Sequence, residues 1–186
     1  MMYTQFKTRA EAVSAEVVRY ATKGEALAWL IDFLRREGVA DAPGSHALWA
    51  ECSFLDGVDR ELVRQVDGLK LEVTRELAAE ARFGISQMEF ALADTGSLYQ
   101  NSTAIHQRLV SSLPTIHIAL VPTGGILPDM PSLLSIVKPS ENPYIALITG
   151  PSRTADIERV LTIGVHGPER LVIVFVDELG GGTNGK

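Results

Sequence analysis

The sequence predicts an α/β domain with three layers, α/β/α, in which a mostly parallel sheet lies between helices, together with additional N-terminal helices. Two observations support this fold class. The second half of the chain alternates apolar, strand-like runs with helical patterns, as in residues 115–121, 129–137 and 171–176. The apolar runs lack polar alternation, which is typical of strands buried on both faces of a parallel sheet. A chain of 186 residues is also long enough to bury one sizeable core.

The first 40 residues are predicted to form a pair of helices that packs on this core. Thr8–Glu11 and Thr22–Glu25 each have the spacing of a capping box, in which a threonine caps the helix and a glutamate three positions later reaches back. The first helix is expected to continue to about Tyr20. The second presents Ala26, Leu27, Leu30, Ile31 and Leu34 on one face and ends before Gly38.

The α/β domain itself is predicted over residues 41–178, and a glycine-rich, flexible tail over 179–186. Within the domain, Ser86 and Glu89 have the spacing of a third capping box and predict a short helix. Thr123–Gly125 follow a predicted strand directly. Because parallel α/β sheets bind ligands at the carboxyl ends of their strands, these loop residues are a further site candidate.

Residues 144–168 are predicted to fold as a strand, a turn, a short helix and a loop. The strand is the apolar run Ile145–Ile148, and the turn is Thr149–Arg153. The helix covers Thr154–Leu161, and the glycine-bounded loop covers Gly164–Pro168. A turn of this kind places free backbone N–H groups at the start of a helix, where partial positive charge favours anions.

This stretch predicts a binding site for a small carboxylate or phosphate. Arg153 supplies a planar, permanently charged group that suits either anion. Asp156 and His166 are candidates for acid–base chemistry. The other predicted ligand-binding residues offer hydroxyl, carboxylate or backbone groups; they are Thr149, Gly150, Ser152, Asp94, Thr95, Gly96 and Ser97. The alternative is that the turn has no ligand, Arg153 pairs only with Asp156, and His166 only holds its loop.

Composition limits the classes of function. The net charge of -6 argues against a nucleic-acid surface, which would need a basic face. With Cys52 as its single cysteine, the chain has neither an internal disulfide nor the four thiolates of an iron–sulfur cluster. No apolar run reaches the length of about 20 residues that a membrane span needs. The N-terminus also lacks an apolar signal core, and a cytoplasmic location is therefore expected.

Sequence motifs for common cofactors are missing. The chain has no G-x-G-x-x-G, P-loop, nucleophile elbow, H-E-x-x-H or C-x-x-C pattern. Its four histidines lie far apart in the sequence, so no metal site is predicted from them.

Three blocks of the sequence resemble the lactate-utilisation protein C family, whose domain is called the LUD domain. In chain order they are Gly84–Ser86 with Ala93–Leu98, then Leu113–Ile118, and then Ile148–Glu158 with Gly164–Pro168. Two departures keep the chemistry: Asp94 stands where the family often has glutamate, and Ser97 where it has threonine. Gln87–Phe90 replace a smaller, alanine-rich run, which reshapes one wall of a pocket.

The resemblance implies a three-layer fold similar to that of ribose-phosphate isomerases and CoA-transferases. It also implies a role in the oxidation of L-lactate to pyruvate together with iron–sulfur partner proteins. In this interpretation the chain is a non-redox subunit that binds a small anion and carries no cofactor, while the clusters reside in its partners. Two alternatives stay open: a stand-alone enzyme acting on a sugar phosphate or an acyl-CoA ester, and an assembly factor without a ligand.

Overall fold

A six-stranded sheet forms the centre of the protein in a computed structural model, which describes residues 1–154 and 162–180. Helices surround the sheet; within the described residues they are Met2–Ala12 (α1), Lys23–Arg36 (α2), Arg60–Arg64 (α3), Arg75–Ala79 (α4), Ile105–Ser112 (α5) and Met130–Ile136 (α6). Short 3-10 turns cover Ser53–Leu55, Thr123–Gly125 and Pro139–Glu141.

The strands belong to three sheets. In chain order they are Glu16–Tyr20 (β1), Ala47–Trp49 (β2), Leu69–Lys70 (β3), Phe83–Gln87 (β4), Phe90–Leu92 (β5), Ser97–Asn101 (β6), Ile116–Pro122 (β7), Ile126–Leu127 (β8), Ile145–Ile148 (β9), Arg153–Thr154 (β10), Thr162–Ile163 (β11) and Arg170–Val176 (β12). The central sheet has the order β1-β12-β7-β4-β2-β3, and all its pairs are parallel. A smaller mixed sheet has the order β8-β5-β6-β9, and β10 pairs antiparallel with β11 in a two-stranded sheet.

Apolar side chains on both faces of the central sheet build the layers. In β12, Val172 and Val174 pack into a core cluster that contains the inner face of α2, whereas Ile173 and Phe175 pack into a cluster with α1. Helices α4 and α5 cover the β2 end of the sheet on a further cluster. The predicted three-layer α/β class with a mostly parallel sheet is therefore confirmed, and the central sheet is parallel throughout.

The prediction of an N-terminal pair of helices is wrong for the first helix, which ends earlier than expected. Helix α1 begins at Met2 and ends at Ala12, and the residues up to Tyr20 form strand β1 beside β12. Thr8 lies inside the helix, where its hydroxyl donates to the carbonyl of Thr4 instead of capping. The β-branched pair Val17-Val18 suits a strand, and both faces of it are covered. The division into 1–40, 41–178 and 179–186 stays a prediction, and residues 181–186 lie outside the described residues.

The second N-terminal helix is confirmed with its cap. The Thr22 hydroxyl accepts a hydrogen bond from the Glu25 N–H, and the Glu25 carboxylate accepts one from the Thr22 N–H. None of the helices formed by residues 1–154 and 162–180 has the length and apolar character needed to cross a bilayer.

Other local predictions also differ from the structure. Ser86 and Glu89 do not cap a helix, because Ser86 lies in the buried strand β4 and Glu89 follows that strand. Ile145–Ile148 form a strand as expected, but it is half exposed and pairs antiparallel with β6 in the smaller sheet. Thr154, the first residue of the predicted helix Thr154–Leu161, lies in strand β10 instead. Residues 155–161 lie outside the described part of the chain.

Candidate functional site

The turn at Thr149–Arg153 and the loop Gly164–Pro168 lie against each other, as their place in one motif suggested. The backbone N–H of Ser152 donates to the carbonyl of Pro168 over 2.8 Å, and the N–H of Gly164 donates to the carbonyl of Ser152 over 3.0 Å. These two hydrogen bonds hold the turn and the loop side by side, next to the paired strands β10 and β11. Because Arg153 and Thr154 are strand residues, the turn leads into strand β10, which pairs antiparallel with β11.

Arg153 joins this turn to the loop between α1 and β1. Its Nη2 donates to the carbonyl oxygen of Val13 over 2.8 Å and to the Ser14 hydroxyl over 2.9 Å. Ser14 has a φ of 70°, which is uncommon for a residue with a side chain. Arg153 nevertheless stays exposed to solvent. The guanidinium therefore holds a strained loop in place while it faces an open surface.

Two of the predicted ligand-binding glycines have a packing role. Gly150 has a φ of 67°, and a Cβ at this position would lie 2.5 Å from the carbonyl oxygen of Val13. Gly96 has a φ of 72°, and a Cβ there would lie 2.5 Å from the backbone nitrogen of Ala10. Both positions therefore need glycine for backbone conformation and for close approach to the end of α1. Packing therefore accounts for both glycines, and their role in ligand binding stays a prediction.

A cavity of about 380 Å³ lies beside Arg153, and we call it the Arg153 cavity. It sits at the amino-terminal edge of the central sheet, where β7 and β12 begin. Its polar or charged lining residues carry hydroxyl, imidazole or guanidinium groups; they are Ser111, Ser112, His117, Thr149, Ser152, Arg153 and His166. The described lining residues include no acid. Four predicted residues with polar side chains, namely Thr149, Ser152, Arg153 and His166, thus surround one cavity.

The remaining predicted residues are placed differently. Ser97 is buried, and its hydroxyl is hydrogen bonded to that of Thr149 with 2.7 Å between the oxygens, so it supports the turn from below. Asp94 and Thr95 are exposed and do not line the Arg153 cavity. Asp156 lies outside the described residues, and its role as an acid–base group stays a prediction.

His117 is a buried member of the wall of the Arg153 cavity and was not among the predicted site residues. Its Nε2 and the Ser86 hydroxyl are 2.8 Å apart, and the ring is almost fully buried at 1% exposure. Burial lowers the pKa of His117 from its usual 6.5 to about 4, so the imidazole is neutral at physiological pH. It therefore adds no positive charge to the Arg153 cavity.

A second and larger opening lies at the opposite edge of the central sheet. This cleft of about 640 Å³ is formed where β2, β4 and β7 end, and we call it the Glu89 cleft after the carboxylic acid in its wall. Burial raises the pKa of Glu89 from its usual 4.5 to about 7. Sequence reasoning missed this residue because the pattern around it was interpreted as a helix. The signal was present: Glu89 follows the end of a buried parallel strand by two positions.

Cys52 also lines the Glu89 cleft but has the properties of an inert thiol. Burial raises its pKa above the usual value, which keeps it protonated at neutral pH. A protonated thiol is a poor nucleophile and a poor metal ligand.

Known proteins share both the sequence and the fold of this chain. The LUD domain matches residues 3–176. Lactate utilization protein C from Anoxybacillus flavithermus is 34% identical over 127 residues, which are 68% of this chain and 56% of that protein. The protein of the same name from Bacillus subtilis is 36% identical over 118 residues, which are 60% of this chain and 49% of that protein. The chain thus spans about half the length of the curated relatives it matches.

A solved structure has the same fold. The crystal structure of a DUF162 family protein from Deinococcus radiodurans superimposes with a TM-score of 0.63, covering 94% of this chain and 96% of that one. Its sequence is only 18% identical, so this likeness concerns the fold alone. The assignment to a family rests on the match of the LUD domain to residues 3–176. The protein belongs to the LUD domain family.

Proposed function

We propose that this chain acts in lactate utilisation as a subunit that binds a small carboxylate, L-lactate or pyruvate, in the Arg153 cavity. The observation that carries the proposal is the charge of the cavity, because Arg153 is the one permanently charged residue among its described lining residues. A guanidinium has five N–H donors, so Arg153 can donate a charge-assisted hydrogen bond to a carboxylate while its Nη2 holds Val13 and Ser14. The hydroxyls of Ser112 and Ser152 line the same space and suit the 2-hydroxyl or 2-oxo group. The names of the relatives support this substrate class.

The proposal includes a division of labour between this chain and iron–sulfur partner proteins in the cytoplasm. Oxidation of L-lactate to pyruvate releases two electrons and two protons, so it needs an electron acceptor. The one cysteine of the chain, Cys52, is held as a thiol by burial and cannot supply the four thiolates of a cluster. The electrons therefore pass to clusters on partner proteins, while this subunit holds the carboxylate of the substrate.

Isothermal titration calorimetry with a matched pair of variants tests the ligand. L-lactate, D-lactate, pyruvate and inorganic phosphate are titrated into the wild type, Arg153→Ala and Ser14→Ala. Arg153→Ala removes the charge together with the two bonds to the α1–β1 loop, whereas Ser14→Ala removes one of those bonds and keeps the charge. We expect Arg153→Ala to weaken carboxylate binding by about tenfold or more and Ser14→Ala to leave it nearly unchanged.

Two results would contradict the ligand proposal. One is a wild type that stays folded but binds none of the four anions. The other is an Arg153→Ala variant with unchanged affinity for L-lactate or pyruvate.

The partner proposal has its own test, in which the tagged chain is purified from its native cells and the captured material is analysed for iron and acid-labile sulfide. Capture of proteins without iron would favour an assembly role with other partners.

A further inference from the structure

The Glu89 cleft lies where parallel α/β sheets commonly bind their ligands, yet the proposed function does not use it. Gln87 and Pro122 end β4 and β7, and both line the cleft. The smaller sheet contributes Tyr99 and Asn101, and the segment after α6 contributes Lys138. A crevice at the carboxyl ends of parallel strands, closed by a second element, is the expected position of a site in this class.

Four side-chain amides line this cleft and are fixed in orientation. The Nδ2 of Asn101 donates to the Oδ1 of Asn142 over 2.8 Å, and the Nε2 of Gln87 donates to the Ser53 hydroxyl over 2.8 Å. The corresponding nitrogens of Gln107 and Asn142 each donate to a backbone carbonyl. Within the described residues each of these nitrogens donates one bond, and an amide nitrogen carries two N–H groups. The cleft therefore presents several oriented donors for oxygen atoms of a ligand.

Glu89 adds a carboxyl group to the same wall. One oxygen, Oε2, accepts a hydrogen bond from the backbone N–H of Asn101 over 2.9 Å, which fixes the side chain. Since burial raises its pKa to about 7, the protonated form that donates a hydrogen bond is well populated near neutral pH. Buried acids with this property in a cleft are candidates for ligand contact.

The charges of the cleft argue against an anion. Its charged lining residues are Glu89, Glu141 and Lys138, and Lys138 is paired with Glu141 at 3.2 Å. No unpaired cation is therefore present among the described lining residues. The apolar side chains of Met88, Phe90 and Val137 are buried behind this wall, whereas Ile136 is half exposed at the cleft and can cover the C–H face of a ring. The Arg153 cavity differs in charge, because an arginine and no acid are present among its described lining residues.

We infer that the Glu89 cleft is a second site of this protein and binds an uncharged, oxygen-rich compound of sugar size, a sugar or cyclic polyol. The amides of Gln87 and Gln107 donate to its hydroxyl or carbonyl oxygens, and protonated Glu89 donates a further hydrogen bond. This site is independent of the carboxylate in the Arg153 cavity.

Side-chain amide signals in ¹H–¹⁵N NMR spectra test the inference directly. The probes are D-ribose, D-glucose and myo-inositol, each titrated into the folded chain at about pH 6, below the pKa of Glu89. We expect saturable shifts of the cleft amides with at least one probe. Glu89→Leu removes the carboxyl group and should weaken that probe by about tenfold, whereas Glu89→Gln keeps an uncharged donor and should retain binding. The exposed acid Glu76 is the control, and Glu76→Gln should behave like the wild type.

Three outcomes would overturn the inference. They are the absence of saturable shifts with all three probes in the wild type, shifts that map to the Arg153 cavity, and full affinity in Glu89→Leu. If Glu89→Leu does not fold, Gln107→Leu takes its place, since it removes one amide donor and leaves Glu89 intact. Full affinity of the Gln107→Leu variant would equally contradict the inference, because it would show that the amide of Gln107 does not bind the ligand.

Discussion

Replacing Glu89 by glutamine is expected to raise the free energy of unfolding above neutral pH. Glutamine has nearly the same shape and keeps an oxygen that accepts the hydrogen bond from the Asn101 N–H, but it carries no charge. In the wild type, burial raises the pKa of Glu89 from 4.5 to about 7, which shows that the fold disfavours the carboxylate. A pKa change of one corresponds to about 1.4 kcal/mol, so the ionised form destabilises the fold by about 3 kcal/mol.

The pH dependence of this effect has a definite sign. Between about pH 4.5 and 7 the folded state keeps a proton on Glu89 that the unfolded chain has lost, so its stabilising contribution falls as pH rises. His117 acts in the opposite direction, because burial lowers its pKa to about 4 and its contribution falls as pH drops from about 6.5. The two effects offset each other in the wild type. The Glu89→Gln variant should therefore lose stability on acidification more steeply than the wild type does.

Urea unfolding followed by circular dichroism, across a pH series, measures the difference. Below about pH 4.5 the two proteins should unfold with the same free energy, and above about pH 7.5 the variant should be more stable by about 3 kcal/mol. For a chain of this size that difference corresponds to about 6 to 12 °C in Tm. Glu76→Gln, at an exposed position, should follow the wild type. Parallel curves for Glu89→Gln and wild type at every pH would refute the argument that burial sets this pKa.

Three further substitutions probe the fold. Thr22→Ala should lower the free energy of unfolding by about 1 kcal/mol, measured in urea, because the α2 N-cap is lost. Gly96→Ala should lower it by about 2–4 kcal/mol in the same assay, since alanine disfavours the positive φ and its Cβ would overlap the backbone of Ala10; an unchanged midpoint would show that α1 moves away freely. Ser86→Ala should lower Tm and should lower the free energy of unfolding by about 1–3 kcal/mol, because the buried Nε2 of His117 loses its hydrogen-bond partner. Ser86→Thr keeps a hydroxyl and should retain more stability.

The elements predicted correctly are those whose own sequence determines them. Strands β7 and β12 are long apolar runs that remain buried wherever they pair, and their continuous pattern indicates a parallel sheet. Helix α2 combines a capping box with an apolar stripe, so local and tertiary preferences agree. Helix α6 is similar, because Asp129 caps it and Leu133 is buried beneath it.

The errors occur where pairing with distant residues decides the structure. The Ser86–Glu89 spacing fits a capping box, but hydrogen bonds from β2 and β7 hold the segment up to Gln87 as a strand. In the same way β1 forms because β12 offers a partner far along the chain. A capping motif uses only local bonds and cannot indicate such partners.

The candidate sites show the same limit. The sequence motif brought together Ser152, Arg153 and His166, whose neighbours in the chain form the turn and the loop. It could not indicate that Arg153 contacts the Val13–Ser14 loop, which is 139 to 140 positions away. Nor could it place Glu89 beside Asn101, because the smaller sheet that joins them was not predicted.

The position of β12 in the sheet has a consequence for how the protein is made. This strand lies between β1 and β7, and the ion pair between Arg19 and Asp177 at its end joins residues 158 positions apart. While the ribosome synthesises the earlier residues, β1 has no neighbour in the sheet and the facing edge of β7 stays open. Closing so long a loop is slow, and the exposed edges favour aggregation in the meantime. The edges of β1 and β7 are therefore covered only when β12 has emerged and inserted between them.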